Sequence, residues 1–345
     1  MPVTFDASAH TIPPEAFDEA AALVRGRVHR TPMLTSRTAA RIAETAGGVR
    51  LAGATLHAKA EHLQATGSFK VRGAILRLES LDAAERAAGV IAISAGNHAA
   101  AVAVAAALAG IRAVVVMPAT AVTSKVDACR AYGAEVVLHG ATTVEAWAEM
   151  ERLRDARGLT FIHPFDHPVT IAGQGTVGLE ILTDLPDVDV VVVSVGGGGL
   201  ACGIATALAT RRPATRVWGV EPASSAALSL ALAANEIVPV TPGSVADGLN
   251  APFAGDWTLA LGRRHLAGIV TLSDPEILSG VRFAAERMKQ VLEPAGAWPG
   301  RSRCRRRGRR RRPTRRQRRR PEGRSGFRGR RSPGRQSSRD GRMGG

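Results

Sequence analysis

Short apolar segments that alternate with helical patterns constrain the fold of this chain more than any other feature. Val90–Ile93, Ala113–Met117 and Glu135–Leu138 have the length and composition of strands, and helical patterns follow them. Residues 189–195 form a nearly continuous apolar run, which predicts a fully buried parallel strand, and residues 217–220 predict another. Strands that alternate with helices in this way predict parallel α/β sheets covered on both faces.

The net charge of +16 is confined to one end of the chain. Residues 298–345 contain 21 Arg and only two acidic residues, whereas residues 1–297 are close to neutral. This distribution excludes nucleic-acid binding as the function of the whole chain. Residues 299–345 contain only three apolar residues, which are too few for a core. The sequence therefore predicts a disordered Arg-rich tail that binds polyanions without specificity.

Cysteine spacing and hydropathy indicate the compartment. The three cysteines lie far apart in the sequence, which excludes a disulfide framework and a spaced zinc site. The N-terminal residues lack the pattern of a signal peptide, and the longest apolar run, residues 99–111, is too short to span a bilayer. These features predict a cytoplasmic protein with no membrane association.

Four consecutive glycines follow the predicted strand at 189–195. Because the glycines precede a predicted helix, their backbone N–H groups and the helix dipole favour a bound phosphate group. A flexible linker is the alternative interpretation, but linkers rarely interrupt a junction between a strand and a helix. The glycine loop, as we call this segment, consists of Gly196, Gly197, Gly198, Gly199 and Leu200.

Lys70 is the candidate nucleophile. Most lysines are solvated surface residues, but here Gly67 and Ser68 predict a tight turn with a helix cap, and Phe69 should pack in a core. Such packing would keep Lys70 near the interior, where a lowered pKa makes an amine nucleophilic.

A second loop follows the strand Val90–Ile93. Small residues and an amide before a helix suit a carboxylate, although ordinary capping by the asparagine explains the pattern equally well. The histidine alone is more typical of packing than of acid–base chemistry. The 94–98 loop consists of Ser94, Ala95, Gly96, Asn97 and His98. A reactive lysine, a phosphate loop and a carboxylate loop together suggest pyridoxal phosphate acting on an amino acid.

Eight motifs in this order resemble the serine/threonine dehydratases, which are fold type II pyridoxal-phosphate enzymes similar to the tryptophan synthase β subunit. The resemblance covers about residues 10–297. The motifs are Thr31-Pro32, Gly67-Ser-Phe-Lys70-x-Arg72-Gly-Ala74, Ser94-Ala-Gly-Asn-His98, Ala172-Gly-Gln-Gly-Thr176, Gly196 to Leu200, Gly219-Val-Glu-Pro222, Ala246-Asp-Gly-Leu249 and Glu293-Pro-Ala-Gly-Ala297.

The resemblance implies a fold, a reaction and a role for each motif. The fold would be α/β, with two open, mostly parallel sheets flanked by helices. Lys70 would bind the cofactor through a Schiff base and remove the substrate's α-proton. The glycine loop would hold the cofactor phosphate, Asn97 would bind the pyridoxal 3′-oxygen, and the 94–98 loop would bind the substrate carboxylate. The implied reaction converts L-threonine or L-serine into a 2-oxo acid and ammonia.

The resemblance also implies a domain division and an assembly. Residues 1–87 and 166–297 would form a large cofactor-binding domain, and residues 88–165 a small domain. Family members are usually oligomers, so a homo-oligomer is expected. A cation site is implied at Glu221, but no carboxylate follows among the next residues, which favours a monovalent over a divalent ion.

Two departures from the family keep alternatives open. Ala95 stands where racemising members carry a serine, so elimination is favoured over the alternative of a serine racemase or a related β-eliminase. The family's C-terminal Ser-Gly-Gly-Asn, whose serine binds the pyridine nitrogen, is absent, and arginine runs begin after Trp298. Alanine codons of the form GCG GCG, shifted by one base, read CGG CGG and encode arginine, so we hypothesise a frameshift near codon 298. An inactive cofactor-binding homologue with a polyanion-binding tail is the second alternative.

Overall fold

Nine strands and twelve α-helices are found in residues 5–47 and 55–297, the part of the chain that the computed structural model describes. The strands are β1 (Met33–Thr35), β2 (His57–Lys59), β3 (Val90–Ile93), β4 (Ala113–Met117), β5 (Glu135–Leu138), β6 (Thr160–Phe161), β7 (Val190–Ser194), β8 (Arg216–Pro222) and β9 (Leu266–Leu272). The helices are α1 (Pro14–Val24), α2 (Arg37–Gly47), α3 (Lys70–Glu79), α4 (Ala83–Ala88), α5 (Asn97–Ala109), α6 (Thr123–Ala131), α7 (Thr143–Arg157), α8 (Pro168–Asp184), α9 (Gly199–Arg211), α10 (Ala227–Ala234), α11 (Asp256–His265) and α12 (Asp274–Phe283). The predictions about residues 298–345 lie outside the described residues.

Four parallel strands form the first sheet, in the order β5-β4-β3-β6. Its strands are joined through α5, α6 and α7. Alternate residues of β3 point to opposite faces, and all four are buried. Val90 and Ala92 pack in a cluster with α5, whereas Ile91 and Ile93 pack against Met150 of α7. Both faces of this sheet are covered, as the alternation of strands and helices predicts.

The second sheet is also parallel, in the order β7-β8-β9. One face, which includes Val191 and Val193, packs against Ile204 and Leu208 of α9. On the other face Val190 is 40% exposed and Val192 is 50% exposed. The prediction that this strand is fully buried is therefore wrong. A buried parallel strand needs a covering layer on each side, and within residues 5–47 and 55–297 this edge strand is covered on only one.

Helices α3 and α8 cross closely because glycines replace side chains at the crossing. A Cβ atom on Gly173 would lie 2.6 Å from the Cα of Gly73, which no side chain could tolerate. This close approach packs the first turns of α3, which begins at Lys70, directly against α8.

The four strands of the first sheet all fall within the predicted small domain, residues 88–165, and the second sheet falls within 166–297. All the described residues nevertheless belong to one compact unit. The division into a large and a small domain therefore stays a prediction. The α/β fold with two parallel sheets flanked by helices is confirmed. Strands β1 and β2 add a small antiparallel pair.

Candidate active site

Lys70 is the first residue of α3, and its position follows from a turn that the sequence prepares. Gly67 has a φ of +74°, which favours glycine, and its N–H donates to the carbonyl of Gln64 at 2.8 Å. Phe69 then packs against the core. The prediction that Ser68 caps the helix is wrong: Phe69 is the N-cap residue, and the buried Ser68 hydroxyl has no hydrogen-bond partner among the described residues.

The amine of Lys70 faces the interior, and none of the carboxylates in residues 5–47 and 55–297 forms an ion pair with it. Its Nζ donates to the backbone carbonyl of Pro164 at 2.7 Å and lies 5.4 Å from the centre of the Phe69 ring. Burial disfavours the charged form and lowers the pKa of Lys70 to about 8. The expected lowering of the lysine pKa is thus present, and it makes the neutral, nucleophilic amine accessible near neutral pH.

Two histidines beside Lys70 are held in the neutral form. Burial and the charge of Lys70 lower the pKa of His98 to about 3 and the pKa of His163 to about 4. His98 Nε2 lies 2.9 Å from the carbonyl oxygen of Ile162, which fits a packed histidine with its proton on that atom. His163 Nδ1 accepts from the N–H of Asp166 at 2.7 Å, so its own proton is on Nε2. Neither ring is a general acid at neutral pH.

The glycine loop joins β7 to α9 and packs against the segment that contacts Lys70. A Cβ atom on Gly197 would overlap the ring of Phe165, and one on Gly199 would lie 2.8 Å from the Phe165 carbonyl oxygen. Gly198 has a φ of +96°, which favours glycine. Within the described residues, the N–H groups of Gly196, Gly197 and Gly198 donate no hydrogen bond. These free donors at the N-terminus of a 13-residue helix suit a phosphate dianion.

The 94–98 loop joins β3 to α5, and most of its polar groups have partners in the protein. Ser94 Oγ accepts from the N–H of Gly96 at 3.1 Å, and Asn97 Nδ2 donates to Glu293 Oε1 at 2.6 Å. Gly96 is the N-cap residue of α5, so capping by the Asn97 side chain does not occur. The second N–H of the Asn97 amide can still donate to a cofactor oxygen.

Glu221 is fully buried and serves as an acceptor for the start of α10. It accepts from the N–H groups of Leu228 and Ser229, both at 2.9 Å, and from the Ser229 hydroxyl. Burial raises the pKa of Glu221, although these donors partly offset the effect. Among the described residues no cluster of His, Cys, Asp and Glu could hold a metal ion. The cation site at Glu221 stays a prediction.

A buried ion network fixes α3, and residue-by-residue reading of the sequence missed it. Arg72 is fully buried and binds two carboxylates: Nε donates to Glu61 at 2.9 Å, and Nη1 donates to Glu180 at 2.7 Å. Lys59 Nζ lies 2.6 Å from the second oxygen of Glu180. Arg72 belongs to the same sequence motif as Lys70, but its partners lie 11 and 108 residues away in the sequence.

These residues fit the expected cofactor. The glycine loop offers unpaired N–H donors for a phosphate, and Pro164 and Phe165 bring that loop beside an amine whose pKa is lowered. An amine of this kind can attack an aldehyde carbon. The buried, unpartnered hydroxyl of Ser68 lies in the turn just before this lysine.

None of the helices in the described ranges has the length and apolar character of a membrane span.

The family model described as pyridoxal-phosphate dependent enzyme matches residues 24–299. Over 285 residues the chain is 41% identical to the L-threonine ammonia-lyase of Thermotoga maritima, covering 82% of this chain and 69% of that protein. It is 41% identical over 281 residues to the L-threo-3-hydroxyaspartate ammonia-lyase of a Pseudomonas species, covering 81% and 85%.

Solved structures agree with these sequence relatives. Maize serine racemase superposes with a TM-score of 0.77 at 34% identity, covering 82% of this chain and 84% of that one. The chain therefore belongs to the family of pyridoxal-phosphate-dependent enzymes.

Proposed function

We propose that this protein is a pyridoxal-phosphate-dependent ammonia-lyase that converts L-threonine to 2-oxobutanoate, and L-serine to pyruvate, with release of ammonia. The observation that carries the proposal is the Lys70 amine, which has a lowered pKa and contacts the segment that packs on the glycine loop. The ammonia-lyase relatives at 41% identity support the choice of reaction.

Each predicted site residue receives a role in this proposal. Lys70 binds the cofactor covalently, the glycine loop binds its phosphate through backbone N–H groups, and Asn97 binds its ring oxygen through its side-chain amide. The 94–98 loop binds the substrate carboxylate at the N-terminus of α5. The helix dipole and the free N–H groups of the first turn favour a negative charge there.

When bound, pyridoxal phosphate withdraws electrons from the substrate's α-carbon and so stabilises negative charge at that atom. The residues of this chain supply the binding and the proton transfer. Lys70 Nζ would hold the cofactor and, when free, would accept the substrate's α-proton. The β-hydroxyl would leave as water with a proton from the Lys70 ammonium group, and hydrolysis of the resulting enamine would consume one water. The net change is one amino acid to one 2-oxo acid and one ammonia.

Racemisation is disfavoured by the composition of the 94–98 loop. Racemisation needs a second proton donor on the face of the substrate opposite the lysine. Ala95 has no hydroxyl, and burial keeps His98 neutral, as its pKa of about 3 implies. The similarity to a serine racemase structure therefore reflects a shared fold more than a shared racemisation reaction.

We also propose a cytoplasmic homo-oligomer, in line with the resemblance. The 21 arginines of residues 298–345 would add salt-sensitive binding to polyanions.

A substrate panel tests the proposal. The purified, cofactor-loaded protein is incubated with L-threonine and L-serine, and 2-oxo acid and D-serine are measured. The proposal predicts 2-oxo acid from both amino acids and D-serine below detection. D-serine as the main product would contradict the argument from Ala95, and no product from either substrate would contradict the proposed function.

A further inference from the structure

Lys125 is an ammonium group beside the 94–98 loop that the proposed chemistry leaves unused. It is the third residue of α6, and its Nζ lies 3.7 Å from the place where a Cβ on Gly96 would be. It is the nearest group that a side chain at Gly96 would meet. Its position follows from the fold, because β4 is the neighbour of β3 and α6 begins near the end of the sheet where the 94–98 loop lies.

Asp247 is the ion-pair partner of Lys125 among the described residues. The distance from Lys125 Nζ to Asp247 Oδ2 is 3.1 Å, and the two side chains are 37% and 64% exposed. An ion pair this exposed contributes little stability, because water screens both charges. Another carboxylate can therefore displace Asp247 from the ammonium group at small cost.

The segment that carries Asp247 lies between the two loops of the candidate site. A Cβ on Gly248 would lie 4.0 Å from Asn97 Nδ2, and a Cβ on Gly196 would lie 3.1 Å from the Cα of Leu249. Residues 246–249 thus contact the 94–98 loop on one side and the glycine loop on the other. Asp247 therefore lies in a segment that contacts both loops assigned to the cofactor and the substrate, and Lys125 lies beside one of them.

We propose that Lys125 is a specificity-determining residue that binds a carboxylate of the substrate, and that Asp247 takes the place of that carboxylate in the free enzyme. The inference rests on the proposed function and deepens it, because it names a cation for the substrate's negative charge. The carboxylate is either the α-carboxylate shared by all amino acids or a second carboxylate on the side chain. The chemistry of recognition is the same in both cases.

Steady-state kinetics of the holoenzyme test this assignment with L-threonine and with L-threo-3-hydroxyaspartate, which has a second carboxylate. Lys125→Met removes the charge and keeps the length of the side chain, Lys125→Arg restores the charge, and Arg130→Met is the control on the same helix. For a partly exposed charged contact, Lys125→Met should raise KM about 5- to 20-fold, with kcat changed less than about twofold. Lys125→Arg should recover most of the loss, and Asp247→Asn should lower KM because the competing carboxylate is gone.

The two substrates distinguish the two carboxylates. A rise in KM for both assigns Lys125 to the α-carboxylate, and a rise for hydroxyaspartate alone assigns it to the side-chain carboxylate. If Lys125→Met leaves KM for both substrates within about twofold of the wild type, or if Lys125→Arg is as impaired as Lys125→Met, the proposal is overturned.

A failure of the proposed ammonia-lyase function can be distinguished from a failure of the proposed role of Lys125. If the wild type releases no 2-oxo acid from either substrate, binding of the two amino acids to cofactor-loaded wild type and Lys125→Met is compared by calorimetry. Weaker binding of at least one to the variant would support the role of Lys125 without the reaction. Equal binding, or none to either protein, would overturn it.

Discussion

The pKa of Lys70 gives a prediction that is independent of the cofactor and the substrate. The amine is part-buried with a backbone carbonyl as its hydrogen-bond acceptor, and no carboxylate in the described part of the chain pairs with it. Desolvation therefore dominates and lowers the pKa to about 8. The cofactor-free protein should consequently contain one lysine that loses its proton far below the ordinary range.

The expected difference between the neutral fraction of Lys70 and that of an ordinary lysine is large. With a pKa of about 8, about 9% of the amine is neutral at pH 7, against about 0.03% for an unshifted lysine, which is a difference of about 300-fold. The same shift links pH to stability. Both states are protonated below pH 8, so the full cost of burying the charge is present there. Between pH 8 and 10.5 the unfolded state binds more protons, and stability should rise by at most about 3 kcal/mol.

Competitive trace acetylation measures this pKa directly. The chain has four lysines, Lys59, Lys70, Lys125 and Lys289, so mass spectrometry can assign each labelled site. Lys289 is exposed and is the internal reference. Burial slows the labelling of Lys70 at every pH but does not move the midpoint of its titration. A midpoint near 8 for Lys70 is expected, and a midpoint in the ordinary range of a lysine would refute the argument from burial.

Two substitutions test the glycine loop and the buried ion network. Gly197→Ala should weaken cofactor binding at least about tenfold, because the added methyl overlaps Phe165 and displaces the loop; fluorescence titration measures the affinity. Gly243→Ala is the control, because a Cβ there meets nothing within 4 Å, and it should leave the cofactor affinity unchanged. Equal cofactor affinities for the wild type, Gly197→Ala and Gly243→Ala would contradict the role of the glycine loop in binding the phosphate. Arg72→Met should lower the free energy of unfolding by about 3–5 kcal/mol in urea titration, because two carboxylates lose their buried partner. Arg152→Met removes an exposed pair and should cost less than about 1 kcal/mol, so similar losses would contradict the role of burial.

Local patterns were enough to predict the elements with strong signals. The helix predicted over 143–157 matches α7, because Thr142 and Glu145 form a capping box at its start and Gly158 ends it with a φ of +63°. Strands β3 and β4 also match their predicted bounds. The two-residue strand β6 has too short a pattern to be recognised, and β9 contains Gly268, which interrupts its apolar run.

Predictions of burial and of helix capping were wrong where they depended on which other segments pack against the residues concerned. The run at 189–195 does form a parallel strand, but its composition cannot reveal that Val192 lies on an uncovered face. Ser68 has the chemistry of a cap, yet α3 begins one residue too late for its hydroxyl to serve.

The motifs located the candidate site but not its internal contacts. Lys70, the glycine loop and the 94–98 loop were each named from the sequence, and the fold brings them to one region. Their partners are distant in the chain: Pro164 lies 94 residues from Lys70, and Glu293 lies 196 residues from Asn97. No local pattern encodes such pairs. Their roles in binding and catalysis stay predictions.

The proposed ammonia-lyase activity depends on Lys70. 2-Oxobutanoate and ammonia are measured together when L-threonine is added to the cofactor-loaded wild type and to Lys70→Ala. We expect the wild type to release the two products in equal amounts and the variant, folded and with bound cofactor, to release neither. Undiminished release by Lys70→Ala, or a folded, cofactor-loaded wild type that forms neither product, would contradict this expectation.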